Sequence, residues 1–389
     1  MTDIVQKVGK KFLVPKGWSL VSIGDLFKVT RGKVLPMGLV SPEFTHADPY
    51  PVYSSQTKKK GLAGFYSEYL YEDAITWTTD GANAGDVNFR PGKFYCTNVC
   101  GVLLNTHGHA NACVASILNS VTRGYVSYVG NPKLMNDVMA TINIPLPPLT
   151  EQRKIAEILR TWDEAIETAE AELKAKQERK RWMVDRLVGS LPGAKIFKMS
   201  DLFERVVRRN SNGCTMSLTI SASAGLVDQR EVFSRKIAST DTSKYFLVKK
   251  GEYAYNRSHS NGNPYGVIRR LSRYEEGIVS PIYLVFKARS EGVEPLYADM
   301  LFESGGLNKQ LRKIAQEGAR AHGLLNVTAE DFFSMKISLP ALAMQRENAE
   351  RLSVIGREIE INSELVNSLR EQKRGLMQKL LTGEVRVAA

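Results

Sequence analysis

The residues in this chain whose types and spacing suit chemistry lie in polar, glycine-punctuated loops. Tyr53-Ser54-Ser55-Gln56-Thr57-Lys58-Lys59-Lys60-Gly61 sets a lysine run beside hydroxyl and amide groups. Asp80-Gly81-Ala82-Asn83-Ala84-Gly85 is a tight loop whose glycines let backbone approach a ligand closely. Asn256-Arg257-Ser258-His259-Ser260-Asn261, with Tyr265 just beyond, and Gly318-Ala319-Arg320-Ala321-His322-Gly323 play comparable parts later in the chain. Arginine reads guanine, and Asn or Gln reads adenine, through paired hydrogen bonds in the major groove of DNA. Lysine sits on phosphate and confers affinity without sequence information. The candidate DNA contacts are therefore Tyr53, Ser54, Gln56, Lys58, Lys59, Lys60, Asp80 and Asn83 in the first half. In the second they are Arg257, Ser258, His259, Asn261, Tyr265, Arg320 and His322. The competing reading of each loop is an ordinary solvated turn.

Other chemistries find little support. There is no GxxxxGK[ST] phosphate loop, which argues against a motor or NTPase. Asp48-Pro49-Tyr50-Pro51 and Asn263-Pro264-Tyr265-Gly266 resemble the Asn/Asp-Pro-Pro-Tyr box of adenine methyltransferases, but each lacks the second proline. Cys96, Cys100, His107, His109 and Cys113 form a metal-like cluster whose spacing fits no standard zinc module. Cys96 and Cys100 are expected on one face of a strand. Four cysteines make no disulfide framework and point to a reducing cytoplasm. The opening residues lack a signal-peptide h-region, and the uncharged stretch Phe94 to Thr122 is too broken by Gly, Asn and His to span a membrane.

What must position these loops is a repeat. The segment from Ile144 recurs without a gap from Ile337, an offset of 337 − 144 = 193. Ile144, Leu146, Pro147, Leu149, Gln152, Arg153, Ala156, Glu157, Leu159, Ile166, Glu178 and Leu187 all find the same residue in the second copy. Apolar residues at Ile155, Leu159, Trp162, Ile166, Ala169, Leu173, Met183 and Leu187 step by four and three, broken at Lys176 and Lys180. Leu352, Ile355, Ile359, Val366, Leu369, Leu376 and Leu380 do the same, broken at Asn362 and Lys373. This period predicts two long coiled-coil helices, the first over Glu151–Val188. A second pair of matching frames, PKGWSLVSIGDLF from Pro15 and PGAKIFKMSDLF from Pro192, makes the chain a tandem duplication of globular segment and helix.

The division is residues 1–148, 149–190, 191–341 and 342–389, with net charges of +4, 0, +7 and +1. The excess of the +12 total lies in the globular segments, which suits a polyanionic partner. Both interiors alternate aromatic and β-branched residues with Gly, Asn and Asp turns and read as β-rich, with short helices near Asn111–Ser120 and Leu296–Ala315. Return strands are expected at Ala140–Pro145 and Ser334–Leu339. The interiors themselves have diverged almost beyond alignment.

The duplicated LPPLTEQRKIAEIL / LPALAMQRENAERL boundary resembles the conserved regions of the specificity subunit of Type I restriction-modification systems. ITWTTDGANAGDVNF, GEYAYN, GIVSPIYLVF and EGARAHGLLNVTAEDFFSMKI are similar to that family's target recognition domains. The resemblance implies an α+β fold with two β-rich target recognition domains separated by two antiparallel helices in a pseudo-twofold repeat. It implies a non-catalytic subunit in which each domain reads one half of a bipartite, asymmetric double-stranded DNA target and the helices set the spacer. It further implies two docked methyltransferase subunits that use S-adenosylmethionine, motor-nuclease subunits that join them, and a cytoplasmic location. The chain itself is expected to hold no cofactor and no metal. Gln152, Arg153, Gln345 and Arg346, in the shared boundary, are expected to serve partner docking or folding. Ala343-Met344 in place of Thr150-Glu151 departs from the pattern and weakens the cap of the second helix. The alternative is a stand-alone DNA-binding or scaffold protein with a partner-recruiting coiled coil.

Overall fold

The computed structural model describes the chain except residues 1, 8–9, 56–57, 106, 189–190, 192, 222–224, 234–240, 259–262, 290–291, 316–324 and 388–389, and leaves aside the side chains of 2–7, 10–13 and 58. It divides into two compact units, residues 1–170 with 364–389 and residues 171–363. Each long helix, Leu149–Leu187 and Leu342–Leu381, contributes half its length to each unit.

The first unit is built on a six-stranded sheet. Its strand order is Lys28–Arg31, Cys100–Leu104, Tyr71–Thr78, Val87–Cys96, Tyr50–Tyr53 and Leu62–Tyr66. Tyr50–Tyr53 runs parallel to Val87–Cys96; the other neighbours are antiparallel. Ile75, Trp77 and Leu103 from the sheet pack with Val114, Ile117 and Leu118 of the helix Ala112–Val121, and all six are buried. Gly101 has no alternative here, because a Cβ at that position would lie 2.1 Å from the Trp77 ring. Two fully buried Ile residues of the long-helix connection, Ile142 and Ile144, join the same core.

The second unit repeats the first four strands of that order. Phe203–Val206, Tyr283–Ala288, Tyr253–Asn256 and Val267–Arg270 stand in the same sequence of neighbours, all antiparallel. An aromatic cluster fills its core: Tyr253 stacks on Phe286 at 5.2 Å, and Phe203 meets both edge-on. Burial pushes the Tyr253 and Tyr255 phenols far above their ordinary range, so both are neutral packing groups. The divergence lies outside the shared four strands. The first unit adds Tyr50–Tyr53 and Leu62–Tyr66 to the sheet edge, whereas the second adds two separate two-stranded pairs, Leu218–Ser221 with Gly225–Asp228 and Phe246–Lys249 with Glu276–Val279.

The long helices pair antiparallel inside each unit. In the first, Lys373 bonds Asp163 at 2.6 Å and Arg370 bonds Glu170 at 2.7 Å. In the second, Lys176 lies 3.7 Å from Glu358 while Asn348 donates to the Leu187 carbonyl at 3.0 Å. Ile155, Leu159, Ile166 and Ala169 bury on one helix, and Ala349, Leu352, Ile355 and Val366 on the other. Lys176 and Lys373, which interrupt the seam in sequence, are thus ion-paired across it. Both helices begin three residues after the return strands Asn143–Leu146 and Lys336–Leu339 end, and those strands pair with Ser19–Ser22 and Lys195–Lys198. Among the described residues, no helix is long and apolar enough to cross a membrane.

Three details correct the sequence reading. Cys96 ends one strand and Cys100 begins the next, so they face each other across a turn rather than sharing one strand. Both thiols are free, and the hydrogen bond between them together with burial pushes Cys96 up, while the same hydrogen bond brings Cys100 down. The Leu296–Ala315 helix is two, Pro295–Glu303 and Asn308–Ile314, broken at Gly305 in the left-handed region (φ 75°). Glu151 does not act as a helix cap: its carboxylate accepts from Trp18 Nε1 at 3.0 Å and from Arg386 at 2.8 and 2.9 Å.

Candidate nucleic-acid interface

In the first unit the lysine loop is pinched at its neck and strained at its tip. Ser54 N–H donates to the Gly61 carbonyl at 2.9 Å, and Thr97 Oγ1 donates to Ser54 Oγ at 3.0 Å. Lys59 (φ 50°) and Lys60 (φ 52°) both adopt the left-handed conformation. That region costs a side-chain-bearing residue roughly 1–2 kcal/mol, and such strain collects at functional sites. Its structural support is Arg90. This buried guanidinium donates to the Lys60 carbonyl at 2.6 Å and to Thr76 Oγ1 at 3.0 Å, and stacks 3.7 Å above the Tyr53 ring. Burial lowers the Arg90 pKa, an effect that Tyr53, Cys100 and Cys96 oppose. Sequence reading missed Arg90, since it lies in a strand and its partners come from three separate segments.

Tyr53 and Ser54 are thereby scaffold, with Ser54 facing Thr97, while Lys59 and Lys60 are exposed. Lys60 is also 4.0 Å from Asp163 of the long helix. Gln56 lies outside the described residues, as does the side chain of Lys58. The depression beneath this loop, lined by Ser54, Asn83, Asn88 and Arg90, holds about 40 Å³, enough for water but not for a base.

The second loop of this unit closes on the first. Gly81 (φ 90°) and Gly85 (φ 89°) both take the left-handed turn that glycine permits. Asn83 Nδ2 donates to the Ser55 carbonyl at 3.5 Å, joining the two candidate loops. Asp80 accepts from Thr79 Oγ1 at 2.8 Å and faces Arg31 at 3.8 Å and Lys133 at 3.9 Å. Asp80 is therefore an anchor held between two cations.

The second unit places its candidates differently. Arg257 is not a free fork: Nε donates to the Ile282 carbonyl at 2.8 Å and a terminal nitrogen to the Val327 carbonyl at 3.0 Å. Burial lowers its pKa. Its geometry makes it a strut between the sheet and the segment ahead of the helix Ala329–Ser334. Ser258 N–H donates to Asn256 Oδ1 at 3.1 Å and closes the turn. The Tyr265 carbonyl accepts from Tyr255 at 2.7 Å, and its ring packs on the core. That leaves the Asn263–Gly266 segment as a β-turn with its tyrosine turned inward, unlike a catalytic methyltransferase box. His259, Asn261, Arg320 and His322 lie outside the described residues.

The boundary residues sort into two kinds. Gln152 is fully buried: Nε2 donates to the Pro147 carbonyl at 2.7 Å and lies 3.1 Å from His109 Nδ1, and Oε1 accepts from Asn111 Nδ2 at 3.0 Å. Gln345, 2% exposed, donates to the Pro340 carbonyl at 2.9 Å and accepts from Glu294 N–H at 3.0 Å. Burial removes both glutamines from partner docking. Arg153 and Arg346 are exposed, and Arg346 lies 3.6 Å from Glu294. Among the described residues, no cluster of His, Cys, Asp or Glu is arranged to hold a metal.

These features define a class: paired, basic β-rich modules, each clamped to a long helix pair. Residues 15–177 match the sequence model of the type I restriction modification DNA specificity domain. A Mycoplasma pneumoniae protein named as a type I specificity subunit N-terminus is 36% identical over 143 residues, spanning 36% of this chain and 75% of its own length. The MjaVIII specificity subunit of Methanocaldococcus jannaschii is 26% identical over 426 residues, spanning 96% of this chain and 94% of its own. Another M. pneumoniae relative is 32% identical over 192 residues, and the chain spans about half of its length, 52%. The crystal structure of a type I restriction-modification S subunit from M. genitalium superposes with a TM-score of 0.61 at 13% identity, covering 93% of this chain and 96% of that one. The chain belongs to the type I restriction-modification specificity subunit family, with that family's α+β duplicated fold.

Proposed function

We propose that this chain is the DNA-reading, non-catalytic subunit of a type I restriction-modification complex. Each unit reads one half of a bipartite, asymmetric duplex target, and the helix pair sets the spacer. Two methyltransferase subunits dock on the chain and bring S-adenosylmethionine for adenine methylation; motor-nuclease subunits complete the restriction enzyme. The observation that carries the reading is the contrast between frame and interior. Four strands, the return strand and a buried glutamine clamp recur in both units, whereas the exposed loops differ in sequence and construction. A duplicated frame with unlike loops suits two readers of unlike sequences. The strained, exposed Lys59 and Lys60 support a phosphate-tracking surface in the first unit.

The test is reconstitution. The purified chain alone is expected to transfer no methyl group. Co-expressed with a type I methyltransferase subunit that binds it, it is expected to direct adenine methylation to one split sequence in the host genome. Methyl transfer by the chain alone, or methylation without a split motif, would overturn the reading.

A further inference from the structure

A hairpin that the candidate loops did not include stands beside them in the first unit. Ser127 and Lys133 exchange both backbone hydrogen bonds, at 2.8 and 2.9 Å, and close a five-residue tip turned at Gly130 (φ 76°). Tyr128 is 68% exposed at that tip and Val129 is 93% exposed. Single exposed apolar residues are ordinary; two adjacent ones on a doubly bonded tip are held out in water by design of the backbone. The base of the tip is rigid. Gly81 N–H donates to the Pro132 carbonyl at 2.9 Å, Leu134 N–H donates to the Thr79 carbonyl at 2.9 Å, and Trp77 Nε1 donates to the Leu134 carbonyl at 2.9 Å. Lys133 and Arg31 hold Asp80 from either side. The hairpin is thus fused to the Asp80–Gly85 loop, which in turn touches the lysine loop through Asn83.

Its place in the frame is informative. Leu134 bonds the carbonyl of the residue just after the strand Tyr71–Thr78, and Leu325 bonds the Arg257 carbonyl, just after the matching strand Tyr253–Asn256, at 2.7 Å. Leu134 and Leu325 are both buried. The helices Asn136–Thr141 and Ala329–Ser334 follow at the repeat offset of 193 residues. Leu134 and Leu325 thus enter the frame at matching strand ends, with two more residues between this bond and the helix in the second unit.

Building on the DNA-reading function proposed above, we infer that the Ser127–Lys133 hairpin is a base-reading element of the first unit, in which Val129 and Tyr128 recognise the methyl group of thymine. The Val129 side chain has no polar atom, so it can discriminate only an apolar feature, and the thymine C5-methyl is the apolar group that a base edge presents in the major groove. The pre-bonded tip loses little conformational freedom on contact. The lysine loop supplies phosphate affinity and the hairpin supplies discrimination.

The experiment uses the full-length chain and a randomised duplex DNA pool, comparing wild type with Tyr128→Ala, Val129→Ala and, as a control at another exposed valine outside the hairpin, Val34→Ala. Wild type is expected to enrich a split motif with thymine in one half. Both hairpin variants are expected to keep the other half and lose information at that thymine, with Val34→Ala unchanged. Replacing that thymine by deoxyuridine needs no change to the protein. It is expected to weaken wild-type binding about fourfold, the worth of burying one methyl-sized group, and to leave Val129→Ala unaffected. Hairpin variants that enrich the wild-type motif, or deoxyuridine that binds wild type as well as thymine does, would overturn the hairpin assignment alone. A wild-type chain that enriches no motif would overturn the function on which it rests.

Discussion

Gln152 and Gln345, 193 residues apart, make the same pair of bonds. Each donates to the carbonyl of a proline five residues earlier and accepts from the start of its own unit's helix, at Asn111 or Glu294. The identity of these two residues across the repeat is thus explained by packing: each ties a long helix to the recognition module that precedes it. Removing either leaves buried donors and acceptors without partners. We expect Gln152→Ala and Gln345→Ala each to cost about 1–3 kcal/mol, measured by urea unfolding. Arg153→Ala, at an exposed neighbour, is expected to stay within about 0.5 kcal/mol. Equal, small effects in all three would show that the glutamines brace nothing.

Lys59 offers a test with opposite signs. Glycine accepts φ 50° without penalty, so Lys59→Gly is expected to raise stability by about 1 kcal/mol. The same change is expected to remove a phosphate contact and so lower the salt dependence of DNA binding, taking about 1 from the log–log slope. A slope equal to wild type would place this lysine away from DNA.

Arg257 separates support from reading. Arg257→Ala leaves the Ile282 and Val327 carbonyls without their donor. It is expected to destabilise the second unit by about 1–3 kcal/mol and to blur the half-site that unit reads. Loss of reading with no loss of stability would return Arg257 to the role of a direct guanine contact.

Glu151 sets a pH dependence. Burial alone would raise its pKa, but the bonds from Arg386 and Trp18 outweigh it and hold the carboxyl below the usual glutamate range. A group depressed in the folded state stabilises fully above its unfolded pKa, about 4.3 for glutamate. That stabilisation is lost as pH falls through the lower folded value. Unfolding free energy measured from pH 7 down to pH 3 is expected to drop at the acid end, and Glu151→Gln is expected to flatten that part of the drop. Parallel curves would contradict the triad.

The periodic parts of this molecule were legible in its sequence, and the contacts between distant segments were not. The first helix, expected at Glu151–Val188, runs Leu149–Leu187, because a seam sustained over five heptads leaves little freedom in its ends. The return strand came within three residues of its observed start at Asn143. The lysine loop could be found from composition, yet its left-handed backbone and the Arg90 strut beneath it could not, since Arg90 reaches Lys60 from 30 residues away. Arg257 looked like a reader by residue type and proved to be spoken for by two carbonyls. The Ser127–Lys133 hairpin escaped notice because its flanks are too short to alternate; Gly130-Asn131-Pro132 was the one turn signal present.

The central claim is that each unit reads its own half of a split target. Replacing residues 25–140 with the corresponding module of another family member, then mapping methylated adenines in a strain carrying the hybrid and its methyltransferase, tests it most directly. The account predicts a new sequence in one half of the motif, with the other half and the spacer length unchanged. Changes in both halves would contradict it.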